Sequence, residues 1–285
     1  MSTVVVLDSA PSLARSLPLG ALRSPRKRPS PNAPYPHTRL VLPGVRAVAP
    51  RLAAYSSLCA FPSGGASEGS SLPLPYPHVL AFPLTMRLLS AREFPLPLLG
   101  LVHTSFEAVR HTPLPVSEAY ELTVYVSGLA PHHRGTEATV VTEARLAGEP
   151  AWESRSTYLA RHRTASPPPP PAPPSSPLPV QDTWTLPPSL GRAYAAVSGD
   201  RNPIHLTRPT ARLFGFPRAI AHGMWTAARC LAAAPGDPTT THIRFRAPVL
   251  LPGTVTYGTD GGERFELRGD DGRLHLSGTP TGEAA

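Results

Sequence analysis

Apolar and polar positions follow the same succession in both halves of the chain: an apolar helical stretch comes first, and alternating segments follow. Residues 222–234, HGMWTAARCLAAA, are apolar on most faces and rich in alanine, which favours a buried helix. Residues 119–129 and 135–146 alternate and are rich in valine and threonine, which is typical of strands. The strand-like segments of the second half are 241–259, 264–269 and 273–279. The pattern predicts an α+β fold in which an antiparallel sheet wraps around one buried helix in each half.

Three short blocks of sequence recur in order, which indicates a duplicated domain. Tyr55 in LAAYSSLCAF corresponds to Tyr194 in RAYAAVSGD, 139 residues later. YPHVLAFPL corresponds to FPRAIAHGM at a spacing of 140, and VHTSFEAVR corresponds to THIRFRAPV at 139. This period is far longer than a solenoid repeat, so we interpret it as two copies of one globular fold.

Proline-rich sequence separates the two copies. Residues 163–180 are of low complexity, which is typical of a linker. We therefore predict an N-terminal domain at 38–162 and a C-terminal domain at 181–285. Residues 1–37 are basic and rich in proline, and we expect them to lack a fold.

Charge and cysteine content exclude several classes of protein. The net charge is +8, but the basic residues are dispersed arginines without a nucleic-acid-binding module, so we expect no nucleic-acid partner. No run of about 18 apolar residues predicts a membrane span, and Asp8 and Pro11 interrupt any N-terminal secretory signal. Cys59 and Cys230 are the only cysteines, which argues against a disulfide framework. We expect a cytoplasmic protein.

The segment SGDRNPIHL, residues 198–206, contains the candidate chemistry. Pro203 restricts Asn202 to extended conformations, and Asp and Asn favour turns, so we predict a tight bend that brings Asp200 and His205 to one side. A carboxylate beside an imidazole can act as an acid–base pair. Two alternatives remain: a helix-capping loop with Asp200 as the cap, or a metal site with His222 as third ligand.

A second segment, GFPRAIAHGM, places Gly223 near the start of the predicted buried helix. The unpaired N–H groups of a helix N-terminus can bind developing negative charge, and glycine lets another group approach the backbone. The alternative is that Gly223 only relieves packing against the sheet.

The sequence YAAVSGDRNPIHLTRPTARLFGFPRAIAHGM resembles the MaoC-like (R)-specific enoyl hydratases and 3-hydroxyacyl-thioester dehydratases. The first half is similar to that of actinobacterial two-hotdog members, in YPHVLAFPLTMRLL and VYVSGLAPHHRGTE, so the resemblance covers about residues 38–160 and 180–280. It implies a double hotdog, two antiparallel sheets each wrapped around a central helix. Thr207 departs from the family, in which an acid is common after IHL.

The resemblance also implies an activity, the reversible hydration of trans-2-enoyl thioesters to (R)-3-hydroxyacyl thioesters in fatty-acid or polyketide metabolism. Asp200 and His205 would be catalytic, Gly223 would bind the thioester oxygen, and Asn202 and Ser198 would support the loop. No cofactor is expected, because the thioester itself is the electron sink. The acyl carrier, coenzyme A or acyl carrier protein, is anionic. Candidate contacts to it are His222, Arg208, Arg212, Arg218, Arg244 and Arg246.

The first copy lacks the corresponding groups. At a spacing of 139, Asp200 corresponds to Phe61 and His205 to Ala66, and at 140 Gly223 corresponds to Pro83. None of these side chains can transfer a proton, and proline has no N–H. We therefore expect a degenerate first domain that forms an intramolecular pseudo-dimer with the second and houses the acyl chain; a homodimer remains possible.

Two other functions compete with hydration. A hotdog thioesterase would use a carboxylate and water to cleave the thioester, but the spacing of Asp200 and His205 argues against it. A non-catalytic acyl-thioester-binding subunit would not need the intact motif.

Overall fold

The computed structural model describes residues 3–62, 70–165, 167–168, 170 and 176–282. The first half contains β1 (Thr3–Val6), α1 (Leu13–Arg23), β2 (Thr38–Arg46), α2 (Ala49–Cys59), α3 (Tyr76–Leu89), β3 (Val102–Arg110), β4 (Ala119–His132), β5 (Gly135–Leu146) and β6 (Glu149–Arg161). The second half contains β7 (Val180–Leu186), α4 (Leu190–Ser198), α5 (Arg208–Arg212), α6 (Gly223–Ala233), β8 (Thr240–Phe245), β9 (Gly253–Thr259), β10 (Phe265–Gly269) and β11 (Leu274–Thr281). Short 3₁₀ turns occur at Ser24–Arg26 and Pro203–His205.

The order of elements repeats, as the duplicated blocks predicted. Each half runs strand, two principal helices, then four strands. The strand order within the sheet is β2-β4-β5-β6-β3 in the first half and β7-β9-β10-β11-β8 in the second, which is the same topology. The predicted buried helix at 222–234 is α6, and the helix in the equivalent place of the first half is α3.

One of the three block correspondences is wrong in detail. YPHVLAFPL lies within α3, whereas FPRAIAHGM lies mostly before α6, so Pro83 is inside a helix and Gly223 begins one. The stretch between the two principal helices is longer in the second half, 199–222 against 60–75, and this difference breaks the constant spacing. Phe61 follows α2, and Ala66 lies outside the described residues.

The chain folds into two compact units. Unit 1 comprises Met1–Val45, Leu80–Phe106 and Ala119–Ser175, and unit 2 comprises Arg46–Val79, Glu107–Glu118 and Ser176–Ala285. In unit 2, α6 packs on β10 and β11, and α2 packs on α4. The α2 segment therefore belongs to the same unit as the SGDRNPIHL motif.

The cores of both units are formed by helix faces against alternating strand positions. In unit 1, Leu84 and Leu88 of α3 are buried, as are Leu122, Val124 and Val140 on the strands. In unit 2, the buried side chains include Trp225, Ala228 and Leu231 of α6 and Leu267 and Leu276 of the sheet. Burial of such residues is the main favourable contribution to folding.

Residues 1–37 do not lack a fold, contrary to the expectation from their composition. β1 pairs in parallel with β2, from Thr3 opposite Thr38 to Val6 opposite Val41. The Lys27 ammonium donates hydrogen bonds to the carbonyls of Ala91, at 2.9 Å, and Arg92, at 2.7 Å. Backbone pairing and these hydrogen bonds are tertiary contacts that proline and arginine content cannot reveal.

The remaining predictions about segments have clear outcomes. β6 ends at Arg161 and β7 begins at Val180, so the proline-rich stretch lies between two strands; residues 166, 169 and 171–175 of it lie outside the described residues. Cys59 and Cys230 are buried free thiols. Within the described ranges, every helix is too short or too polar to cross a membrane.

Candidate active site

The loop that follows α4 holds Asp200 in place through short-range hydrogen bonds. The helix ends at Ser198, and Gly199 adopts φ 84°, the left-handed conformation that glycine provides at a helix C-terminus. The Ser198 hydroxyl donates to the Tyr194 carbonyl at 2.8 Å and accepts from the Asp200 N–H at 3.1 Å. Ser198 therefore links the last turn of α4 to the candidate acid.

The predicted bend between Asp200 and His205 is confirmed, and the side chains of the motif form it. Asp200 Oδ1 accepts from the Asn202 N–H at 3.1 Å, and Asn202 Oδ1 accepts from the Ile204 N–H at 3.4 Å. Asn202 thereby caps the 3₁₀ turn Pro203–His205. The capping residue of this turn is therefore Asn202 and not Asp200. Asp200 uses only Oδ1 in the hydrogen bonds of the bend, and its other oxygen, Oδ2, takes no part in them.

His205 is anchored to the chain segment that leads into α6. Its Nδ1 lies 2.8 Å from the Ile220 carbonyl oxygen, and the Ile220 N–H donates to the Ile204 carbonyl at 3.1 Å. Because a carbonyl only accepts, Nδ1 carries the hydrogen. A neutral His205 therefore keeps a lone pair on Nε2, where it can accept a proton.

Gly191 in α4 makes this arrangement possible, although no sequence pattern pointed to it. A Cβ atom at this position would lie 1.9 Å from the carbonyl oxygen of His205, far inside van der Waals contact. The absence of a side chain lets the 3₁₀ turn press directly against the helix backbone.

His222 completes a compact cluster with the pair. Its Nε2 lies 2.9 Å from the Asp200 carbonyl oxygen and 3.8 Å from Asp200 Oδ2. Its ring stacks on the His205 ring, with 3.6 Å between centroids and 24° between planes. One potential ligand atom from each of Asp200, His205 and His222 lies within 4.8 Å of the others.

Burial controls the protonation of the two imidazoles. His205 is 7% exposed and His222 is 2% exposed. Burial lowers the pKa of His205, against the opposing effects of the Asp200 charge and the Ile220 carbonyl. Burial lowers the pKa of His222 well below its usual value, and the nearby His205 lowers it further. Both imidazoles of the cluster therefore favour the neutral form.

The ring geometry favours acid–base chemistry over the metal alternative. Two rings stacked at 24° with centroids 3.6 Å apart confine their in-plane lone pairs to two separate, nearly parallel planes, which disfavours convergence on one ion. A tetrahedral metal site needs ligand atoms that converge at about 2 Å from one ion. The cluster has the right residue types for a metal, but the stacking of its imidazoles opposes shared coordination.

Gly223 is the first residue of α6, where it can present its N–H. A Cβ atom there would lie 3.2 Å from the Phe245 ring, which is tighter than ordinary contact. Both interpretations of Gly223 thus have support, because the same position offers a helix-terminal N–H and allows close packing against β8.

The candidate arginines lie at the surface. The Arg218 guanidinium donates to the Pro252 carbonyl at 3.0 Å, and Arg244 is exposed on β8 opposite Ser277. Arg208, Arg212 and Arg246 are also exposed. Within the described part of the chain, none of the five forms a hydrogen bond to the Asp200–His205–His222 cluster.

His78 of α3 is a site residue that the sequence did not indicate. It is buried, and burial lowers its pKa to about 4 against the opposing effect of the Asp200 charge. Tyr194 and Tyr55 extend the same buried region: the Tyr194 ring lies 4.9 Å from the His222 ring and 6.1 Å from the Tyr55 ring. The only signal in the sequence was a histidine within an apolar stretch of the first half.

The segment that carries the site matches a known family. The MaoC like domain family matches residues 171–261 of the chain, which contain the whole loop from Ser198 to Gly223. With the relatives that follow, this match shows that the chain belongs to the MaoC-like dehydratases.

Particular relatives extend the match to most of the chain. The 3-hydroxyacyl-thioester dehydratase X of Mycobacterium tuberculosis is 37% identical over 232 residues, which cover 76% of this chain and 81% of that protein. The crystal structure of HtdX from M. tuberculosis is similar at a TM-score of 0.72 and 32% identity, over 86% of this chain and 99% of that chain. The MaoC-like dehydratase from Phytophthora capsici, at TM-score 0.68 and 17% identity over 89% of this chain and 97% of that chain, shares the fold. The predicted hotdog fold class is thereby confirmed.

Proposed function

We propose that this protein is a hydro-lyase that interconverts trans-2-enoyl and (R)-3-hydroxyacyl thioesters, with coenzyme A or acyl carrier protein as the acyl carrier. The observation that carries the proposal is the convergence of Asp200 and His205, with ligand atoms within 4.8 Å of each other, at a bend formed by their own motif. The name of the M. tuberculosis relative, 3-hydroxyacyl-thioester dehydratase X, supports the substrate class.

The chemistry of the pair fits both directions of the reaction. Hydration starts from the state in which the one proton of the pair is on His205 Nε2 and Asp200 is the carboxylate: Asp200 takes a proton from water as the water oxygen attacks C3, and His205 Nε2–H delivers its proton to C2. In dehydration, His205 Nε2 removes the C2 proton, and the protonated Asp200 gives its proton to the departing hydroxyl. One proton is therefore shared by the pair. The anchored Nδ1–H of His205 reserves Nε2 for this exchange.

Negative charge develops on the thioester oxygen during both steps. The N–H of Gly223 at the start of α6 is the donor that we assign to this oxygen, because backbone donors at a helix N-terminus stabilise developing oxyanions. Ser198 and Asn202 act on the loop and not on the substrate, because their side-chain oxygens are engaged with backbone N–H groups.

The test is a hydration assay with trans-2-enoyl-coenzyme A substrates of four carbons and longer, followed by chiral analysis of the product. Wild-type protein should yield the (R)-3-hydroxyacyl thioester. Asp200→Asn and His205→Ala should each lower kcat at least about a hundredfold, as expected for a lost acid–base group. His242→Ala and Asp270→Asn are the matched controls, because both residues are exposed, and both variants should keep wild-type rates.

The same assay separates the competing functions. Release of free thiol without loss of the enoyl absorbance would establish a thioesterase instead. Thioester binding without turnover would establish a non-catalytic subunit. Activity that disappears on chelation and returns with a metal ion would favour the metal alternative, whereas the proposed acid–base mechanism predicts no change after chelation.

A further inference from the structure

We propose that His222 is a positioning residue that holds the acid and the base of the pair together, and that it neither binds substrate nor transfers a proton. The proposal rests on the proposed function of Asp200 and His205. It replaces the expectation that His222 contacts the acyl carrier.

The first contact that supports this role is with the backbone of Asp200. His222 Nε2 lies 2.9 Å from the Asp200 carbonyl oxygen, so Nε2 carries the hydrogen and donates it. This bond crosses from the start of α6 to the bend after α4. It fixes the peptide group from which the Asp200 carboxylate extends.

The second contact is with the ring of His205. The two imidazoles stack at 3.6 Å between centroids and 24° between planes. The Ile220 carbonyl holds the His205 ring at Nδ1. The stacked His222 ring opposes rotation of the His205 ring about its Cβ–Cγ bond. On its other side His222 has a neighbour of its own, Tyr194, at 4.9 Å between centroids.

The side chain of His222 does not cap the helix that follows it. It is the N-cap residue of α6, with φ −66° and ψ 135°, but its side chain makes no capping hydrogen bond. The ring is turned toward the Asp200 loop instead. A capping role would have directed the side chain to the N–H groups of the first turn.

Substrate binding and proton transfer are both disfavoured by the surroundings of the ring. His222 is 2% exposed, which leaves little surface for a ligand. Its Nε2–H is engaged with the Asp200 carbonyl, and its Nδ1 is buried without a hydrogen-bond partner in the described part of the chain. A proton taken up at Nδ1 would have no acceptor to pass to.

The matched pair His222→Gln and His222→Asn tests the hydrogen bond. The side-chain nitrogen of Gln can reach the place of Nε2, whereas that of Asn reaches only the place of Nδ1. Asn is also among the best N-cap residues, so α6 should remain folded in this variant, which circular dichroism would check. We expect kcat of His222→Asn to be at least about tenfold below that of His222→Gln, the scale of one lost hydrogen bond, while KM stays within about threefold of wild type.

His222→Phe tests the stack alone, because it keeps a flat ring and loses the donor. A kcat for His222→Phe between those of wild type and His222→Asn, with unchanged KM, would support the proposal. Equal kcat values for the Gln and Asn variants would overturn it. A rise in KM with unchanged kcat would also overturn it, because this result identifies a substrate contact.

A measurement that needs no activity separates failure of this proposal from failure of the proposed function. Nitrogen-15 NMR of the imidazole rings reports which His205 nitrogen carries the hydrogen. Wild type and His222→Phe, which keeps a ring against His205, should show the Nδ1–H form of His205, and His222→Asn, which loses the ring stack, should show a mixture of the two forms. If the wild-type chain has no hydratase activity and the mixture still appears, positioning stands and the hydro-lyase assignment fails. An unchanged His205 signal in His222→Asn would overturn the positioning role.

Discussion

At the level of single residues, the chemistry of the site depends on how strongly the protein buries the groups around one carboxylate. Three imidazoles, those of His205, His222 and His78, are buried near Asp200, and burial lowers the pKa of each. Such desolvation is costly for a charged imidazole. The burial of these imidazoles should therefore make the stability of the protein depend on pH, and it surrounds the pair that we propose to be catalytic.

The contribution of His78 to the pH dependence of stability is large enough to be measured. Its pKa in the folded protein is about 4 instead of the usual 6.5, so the unfolded chain binds the proton first. The stability associated with neutral His78 is fully present above pH 6.5 and is lost as the pH falls toward 4. The difference corresponds to on the order of 3 kcal/mol.

We therefore expect His78→Phe to reduce the loss of unfolding free energy as the pH falls from neutrality toward the folded-state pKa of about 4. Urea unfolding at a series of pH values measures this loss. His111→Phe is the control, because His111 is exposed, and this variant should leave the pH dependence unchanged. A His78→Phe curve parallel to that of the wild type would contradict the prediction.

Sequence alone identified the residues of the pair but not all of their neighbours. Asp200, Asn202 and His205 lie within six positions of each other, so local turn preferences were enough to predict their bend. Gly191 and His78 act through contacts between segments that are distant in the chain. No local pattern marks such contacts, and a glycine in a helix or a histidine in an apolar stretch has many uses.

At the level of helices and turns, the site lies where α4, the 3₁₀ turn Pro203–His205 and the start of α6 pack together. The motif supplies the turn, but the backbone of α4 supplies the surface on which His205 is seated. The contact between Gly191 and the His205 carbonyl leaves no room for a methyl group. The close packing of α4 against the 3₁₀ turn therefore depends on the glycine at position 191.

Gly191→Ala should disturb this fit. The new Cβ would meet a backbone oxygen, which cannot move aside as a flexible side chain would, so either α4 or the turn must shift. We expect a loss of about 1–3 kcal/mol of stability, as in other overpacked sites, together with a fall in kcat. Denaturant unfolding and the hydration assay measure the two effects.

The matched control for this substitution is Gly128→Ala on β4. A Cβ atom at Gly128 would have nothing within 4 Å, so stability and kcat should change little. If Gly191→Ala behaves like Gly128→Ala, the close contact does not determine the position of His205.

Periodicity predicted the segments that form α6, β4, β5 and β8 to β11, whereas the bounds of the other elements were not predicted, and β1 and α1 lie in a segment that was expected to lack a fold. The segments predicted as strands at 119–129 and 135–146 are β4 and β5, and α6 lies within one residue of its predicted bounds. β1 and α1 were missed because proline and arginine content suggested a disordered segment. Their order comes from pairing with β2 and from the hydrogen bonds of Lys27, which are not local properties.

Across the molecule as a whole, two copies of one topology differ in sequence at the position of the proposed acid. The second copy carries Asp200 and His205, and the first has Phe61 where Asp200 corresponds. The loss of at least about a hundredfold in kcat expected for the Asp200→Asn variant should therefore apply to the whole protein, with no remaining half of the activity from the first copy. Residual activity near one half would show a second working site.

The N-terminal segment should behave as part of the folded molecule. In the native protein we expect trypsin to cut slowly after Arg15 and Arg23, because both lie in α1, and quickly in urea-unfolded protein. Lys27→Met removes the hydrogen bonds to the carbonyls of Ala91 and Arg92 while keeping a long apolar side chain. This variant should be cut faster than wild type at Arg15. Native cleavage as fast as that of the unfolded chain would contradict the order of this segment.

The α+β class, the duplication and the bend at SGDRNPIHL follow from the amino-acid sequence, because they depend on local preferences or on patterns that repeat along the chain, and the same motif supplies the acid–base pair that we propose. Three further features required the folded structure: α2 shares a unit with the motif, Gly191 seats His205, and His222 stacks on it. The folded structure also determined which block correspondences hold. These features could not be predicted because burial, ring stacking and close backbone contact arise between segments distant in sequence, and each depends on how those segments pack together.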